Sequence, residues 1–205
     1  MNTTSRGRTN LIISLAILSF TIASAVQAQT AYKVSGKQAT MTLYGTSTLH
    51  DWNMTATVFN TNAEFTLTPD NQLSSLTALT VDLPVRNLKS KDDGMNNNAY
   101  DALKADKNKD ITFQLKSATI TPSGGNKYQI VALGSLTIAG VSKAVTLNAS
   151  AVVNSDGSIS CSGTLPIKLS NHNIARPSFM LGMMKVGDAL TLNYSLIFVQ
   201  ANKGL

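Results

Sequence analysis

Ile111-Thr-Phe-Gln-Leu115, Gly134-Ser-Leu-Thr-Ile-Ala139 and Val145-Thr-Leu-Asn-Ala-Ser-Ala-Val-Val153 are the segments whose reading decides the fold. In each, apolar residues recur at every second position, the period that puts them on one face of a pleated strand. Thr, Gln, Ser, Asn and Lys dominate the other face. The turn signals between segments are Gly124-Gly-Asn126, Ala139-Gly-Val-Ser-Lys143 and Asn154-Ser-Asp-Gly157, each short enough to join antiparallel neighbours as hairpins. Residues 111–169 therefore read as a four-stranded meander with one continuous apolar face. Such a face must be covered by a second sheet or by closure of the sheet on itself.

Upstream, alternation continues through a short strand at residues 32–34, a longer one at 39–45, and further segments at 54–58, 65–67 and 76–85. Pro84 marks the end or edge of the last. The period changes in Asn96-Asn-Asn-Ala-Tyr-Asp-Ala-Leu-Lys-Ala105, which carries helix formers behind Asn96 or Asn97 as a cap and places Tyr100 and Leu103 three apart. One short helix in a β chain reads as a plug over an open end of the sheet. Residues 171–188 read as irregular, and residues 189–199 as the last strand, with Leu190, Leu192, Tyr194, Leu196 and Phe198 alternating.

Residues 1–28 read as a secretory signal peptide: Arg6 and Arg8 precede the apolar run 11–20, and Val26-Gln-Ala28 offers small residues for cleavage. The run is too short to span a bilayer, which takes about 20 residues. The expected mature chain, residues 29–205, is one all-β domain in the periplasm or outside the cell. Without the two leader arginines its net charge falls from +6 to +4. The cations are scattered without interleaved aromatics, which argues against a nucleic-acid partner. Lys104, Lys107 and Lys109 form a solvated rim, or one that meets an anionic lipid surface. Cys161 is the only cysteine, so no internal disulfide forms, and it reads as a small apolar side chain on a strand.

Signals for catalysis or metal are weak. Asp106-Lys-Asn-Lys-Asp110 resembles half a calcium loop, but Ile111 stands where the turn needs Gly and Ser117 where it needs Glu. Two histidines and one cysteine are too few for a zinc site of nitrogen and sulfur ligands. Ser47, His50 and Asp51 do not make a triad, because His50 and Asp51 point to opposite faces of an extended chain.

Binding signals are stronger. His50 and Trp52 share a face if the strand continues through them, as ligand contacts or as a core Trp beside a backbone-bonded His. Phe179, Met180, Met183 and Met184 lie close in sequence to His172 and Arg176, a mixture suited to an irregular hydrocarbon with a polar end. The wall of a closed barrel would include Phe113, Leu115, Leu136, Ile138, Val145, Leu147, Leu192 and Tyr194. His50, Trp52, His172, Arg176, Phe179 and Met183 would sit near a mouth.

Gly45-Thr-Ser-Thr-Leu-His-Asp-Trp52, Tyr100-Asp-Ala-Leu-Lys-Ala105 with Ile111-Thr-Phe113, Gly134-Ser-Leu-Thr-Ile-Ala-Gly-Val-Ser-Lys143 and Met184-Lys-Val-Gly-Asp-Ala-Leu-Thr-Leu192 together resemble the YceI family of secreted bacterial proteins. The resemblance implies a lipocalin-like antiparallel barrel of about eight strands that holds a polyisoprenoid or similar amphiphile in the periplasm, with no catalytic activity. No cofactor is implied beyond a bound isoprenoid or quinone-like lipid. No membrane span is expected after leader removal, and a homodimer is left open. The chain departs from the family pattern at residues 92–98 and at Lys109-Asp110, where a proline is usual. Three rivals are a β-sandwich or barrel module for a protein or carbohydrate, an outer-membrane barrel with its apolar face outward, and an enzyme acting on a lipid headgroup through His50 or His172.

Overall fold

The computed structural model describes residues 30–35, 39–179 and 183–201, so the leader expected at residues 1–28 and Met180 lie outside the described residues. Eleven strands form one antiparallel sheet: β1 (Thr30–Val34), β2 (Thr40–Ser47), β3 (Trp52–Ala56), β4 (Asn60–Leu67), β5 (Leu73–Pro84), β6 (Asp110–Pro122), β7 (Lys127–Ile138), β8 (Val141–Val153), β9 (Ile159–Lys168), β10 (Ser178–Phe179) and β11 (Met184–Gln200). The order β1-β4-β5-β6-β7-β8-β9-β11 closes because β11 also pairs with β1, Tyr32 lying opposite Gln200. This is an eight-stranded barrel, and closure removes the open edges that a sandwich would keep.

Two of the eight staves are interrupted. β1 and β2 run along the same strand β11, at residues 198–200 and 186–195 respectively. β4 pairs with β1 while β3 pairs with β2, so β3 and β4 together make the neighbouring broken stave. Beyond β3 the wall continues through a single bridge, Thr55 to Lys89.

The meander forms as its alternation requires. Along β7 the burial alternates without a break, with Tyr128, Ile130, Ala132, Leu136 and Ile138 turned inward. The β7–β8 turn is tighter than expected: Ala139 and Gly140 alone make it, with φ of 49° and 79°, the left-handed pair that a two-residue hairpin demands. A bulge between Leu115 and Ser117 shifts the inward parity of β6. The polar face of the meander points outward, interrupted by exposed Val131 and Leu133. The apolar side is therefore inside, the reverse of the outer-membrane alternative.

One end is sealed. Tyr32, Phe65 and Phe198 pack edge-to-face at centroid distances of 5.4 and 5.3 Å, and Tyr32 and Phe65 are almost wholly buried. The other end is covered by α1 (Asp93–Ala102) and by a 3-10 turn, Leu169–His172. The helix starts and ends three residues before the expected 96–105. Asp92 caps it, its carboxylate accepting from the Met95 N–H at 2.8 Å, while Asn96 lies within the first turns and accepts from the Ser90 N–H at 2.7 Å. Within the stretch expected to be irregular, β10 pairs onto a β11 that already begins at Met184.

Candidate functional site

Inside the barrel lies an apolar cavity of about 160 Å³. Its walls come from every long strand, including Met41, Leu79, Val81, Phe113, Leu136, Leu147, Leu165 and Leu192. Leu79, Val81, Ile111, Leu147, Leu192 and Tyr194 face inward yet keep part of their surface accessible. In a filled interior these side chains would be covered by their opposite numbers; here the missing neighbour is empty space.

Glycines placed opposite aromatics keep that space open. A Cβ at Gly134 would collide with the Phe113 ring, one at Gly163 with the Tyr194 hydroxyl, and one at Gly45 with the Trp52 indole. The Phe113 and Tyr194 rings each lie over a glycine of the inner wall, and the Trp52 ring lies over Gly45 at the mouth. Tyr194 then reaches the next strand and donates to the Asn148 carbonyl at 3.0 Å. Burial, with a smaller contribution from Cys161, pushes the Tyr194 phenol up to about 12.

A second cavity of about 410 Å³ opens between α1, the β2–β3 turn and the start of β11. Met95, Ala99 and Ala102 of the helix face Trp52, Met54, Met184 and Val186 across it. Leu43, Leu88, Leu103, Leu169 and Ile174 line both spaces. These five aliphatic side chains form a collar between inner cavity and mouth.

The residues expected to bind separate into four groups, with Phe179 apart from them. Phe113, Leu136, Ile138, Leu147, His172, Leu192 and Tyr194 line the inner cavity. His50 and Trp52 line the mouth, but not as one continuous strand: the chain turns at residues 48–51, and Trp52 donates its indole N–H to the Thr46 carbonyl at 3.0 Å. Leu115 and Val145 pack against the core beside the cavity without lining it. Arg176 is exposed and lines neither cavity, and Met183 is 69% exposed. Phe179 pairs with Met184 in β10, and its side chain is not among those described.

His172 is 3% exposed, and its Nδ1 lies 2.9 Å from the Val141 carbonyl. The turn that carries it is fastened to β11 by Asp188, which accepts from the Ser170 N–H at 2.8 Å and its hydroxyl at 2.7 Å. These two bonds, with lesser help from Lys168 and Arg176, hold the Asp188 carboxyl below the ordinary carboxylate value.

Positions the sequence reading left unassigned also shape the site. Met41, Leu43, Leu79, Val81 and Ile111 obey the same period-two rule as the wall residues above. The mouth residues on α1 were hidden by the displaced helix register.

Chemistry other than binding finds little support in the geometry. Ser47 donates to the His50 carbonyl at 2.8 Å and accepts from the His50 N–H, so its hydroxyl ties the turn instead of meeting the imidazole. Asp106 pairs with Arg86 at 2.8 Å and Asn108 donates its amide N–H to the Leu103 and Lys104 carbonyls. Lys104 and Lys107 line a surface depression with Arg86 and Tyr100 that shares no lining residue with the mouth.

Comparison with known proteins agrees with this architecture. The family model described as the YceI-like domain matches residues 20–198. The structure is similar to BcnA of Burkholderia cenocepacia, with a TM-score of 0.64 at 20% identity over 80% of this chain and 98% of that one. It is also similar to a polyisoprenoid-binding domain from Saccharophagus degradans, with a TM-score of 0.62 at 10% identity over 84% of this chain and 99% of that one. At such identities the two likenesses speak for the fold alone. No curated protein matches the chain.

Proposed function

The chain belongs to the YceI-like family, and from that premise we propose that it binds and carries, without catalysis, a long-chain isoprenoid or similar amphiphilic lipid in the periplasm. The observation that carries this reading is the hollow apolar interior joined through an aliphatic collar to a mouth under α1. The polyisoprenoid-binding description of the Saccharophagus degradans domain supports the choice of guest.

Size decides how the guest lies. An apolar cavity of roughly 150 Å³ admits about one benzene-sized molecule, so the inner cavity of about 160 Å³ takes only the end of a long chain. The remainder passes the collar into the mouth, whose 410 Å³ falls in the range of ordinary ligand pockets. Burial at about 0.8 kcal/mol per CH₂ supplies the driving force.

Native mass spectrometry of protein released from the periplasm, before and after solvent extraction, tests the proposal. The expected result is a mass difference matching a lipid in the extract. Trp52 is the only tryptophan, and adding an isoprenoid alcohol to extracted protein should change its emission as the mouth fills. An unliganded mass from cells, with no uptake of added isoprenoids, would overturn the reading.

A further inference from the structure

We propose that Leu49 and Met183, beside the mouth, dip into a phospholipid bilayer and hold the mouth against it while the guest passes from the membrane into the barrel. This rests on the carrier reading above and specifies the surface from which the guest comes.

The two residues are 62% and 69% exposed, and neither lines the inner cavity or the mouth. Both flank the mouth all the same: Leu49 stands between Ser47 and His50, and Met183 precedes Met184, three residues that line it. The segments that carry them are fastened together. The Thr48 hydroxyl donates to the Met183 carbonyl at 3.0 Å and accepts from the Lys185 N–H at 3.2 Å, while the Thr48 N–H donates to the Lys185 carbonyl at 3.1 Å. The Ser47 hydroxyl accepts from the Leu49 N–H at 3.2 Å. Two apolar side chains are thereby held in water on adjoining tips, where they gain only if something apolar covers them.

A second protein, or a second copy of this chain, is a poor match for so small a patch. A stable interface takes about 800 Å² from each partner, and two projecting side chains supply a fraction of that. A bilayer needs no complementary surface and takes up each side chain for the apolar area it covers. The charges beside the mouth agree. Lys91, Arg176 and Lys185 are exposed, and so are Asp51, Asp92 and Asp93, so cations and anions cancel and leave no field to hold a charged partner. The guest itself adds a reason, because an isoprenoid chain crossing water would expose its whole apolar length. Contact between mouth and membrane spares it that exposure.

Flotation with phosphatidylcholine vesicles, and the rate at which farnesol passes from those vesicles to extracted protein, test the docking. Leu49→Gln with Met183→Gln should weaken vesicle binding about tenfold, the loss expected when one leucine's worth of apolar surface stays in water, and should slow transfer to a similar degree. Both positions are exposed, so the barrel should fold as before. Salt at about 1 M should not weaken vesicle binding by the intact protein, because apolar contact supplies it. Equilibrium binding of farnesol delivered from cyclodextrin should be the same in this variant, since neither side chain lines the cavities. Val131→Gln with Leu133→Gln removes the exposed apolar pair on the outer face of β7 and should alter neither vesicle binding nor transfer. Unchanged vesicle binding and transfer in the first variant, or losses confined to the second, would overturn the docking and leave the carrier reading standing. A dimer in sedimentation that only the first variant loses would overturn it too, in favour of a second copy at the mouth. Failure of the intact protein to take up farnesol from either source would overturn both readings.

Discussion

Cys161 lines the inner cavity, and burial pushes its thiol from 9.0 up to about 12. The thiolate is the reactive form, so the folded protein should resist iodoacetamide at pH 8.5 and react on unfolding, with an apolar guest slowing any residual labelling further. The raised value also sets a pH trend. Below pH 9 folded and unfolded states both hold the proton; above it the unfolded thiol loses its proton first, so this group's contribution to stability declines as pH rises from 9 towards 12. At Gly163 the expectation is steric: Gly163→Ala drives a methyl into Tyr194 and the Asn148 carbonyl, which should cost about 1–3 kcal/mol in denaturant melts and swing the phenol into the lumen, weakening guest binding. Single residues were legible where the backbone has a period. Phe113, Leu136, Leu147 and Leu192 could be placed on the inner face because a strand alternates, and Met41, Leu79 and Val81 could have been by the same rule. Arg176 and Met183 could not, because the segment joining β9 to β11 has no period to say which way a side chain points.

At the scale of elements, the cover over the open end is held by a few polar contacts. The Asp92 cap starts α1, and Tyr100 ties the helix back to the chain, its hydroxyl 3.1 Å from both the Arg86 and Leu88 carbonyls. Asp92→Ala should destabilise the protein by about 1 kcal/mol and speed amide exchange in the first turn of α1 before any strand responds. The sequence indicated a helix here but not its register, because four residues with capping side chains, Asp92, Asp93, Asn96 and Asn97, compete within six positions. Tertiary contact from Ser90 decides the outcome by drawing Asn96 inside. On the opposite side of the cover, Asp188 anchors the Leu169–His172 turn. Its carboxyl is held low, so the stabilisation is fully present above the ordinary carboxylate value of 3.8 and is lost as pH falls through the lowered folded value. Amide exchange at Ser170 should quicken in that acid range, and Asp188→Ala should show the quick exchange at neutral pH.

For the whole molecule, alternation announced an all-β domain with one apolar face, but not which way that face turns, since an inward and an outward barrel share the same period. Nor could it show that β1 with β2 and β3 with β4 form two broken staves, because stave membership depends on long-range register with β11. The resemblance in four ordered sequence blocks pointed to the closed barrel that the register then displays. Hollowness was least legible of all: it follows from rings lying over Gly134 and Gly163, contacts between partners that no local pattern pairs. These arrangements make the central claim about the lumen itself. The most direct measurement is isotope-filtered methyl NMR of leucine- and isoleucine-labelled protein with bound isoprenoid alcohol. Cross-peaks from the guest to Leu136, Leu147, Leu165 and Leu192 inside, and to Leu43 and Ile174 at the collar, are the predicted result. Cross-peaks confined to the outward-facing Leu133, with the lumen methyls silent, would contradict it.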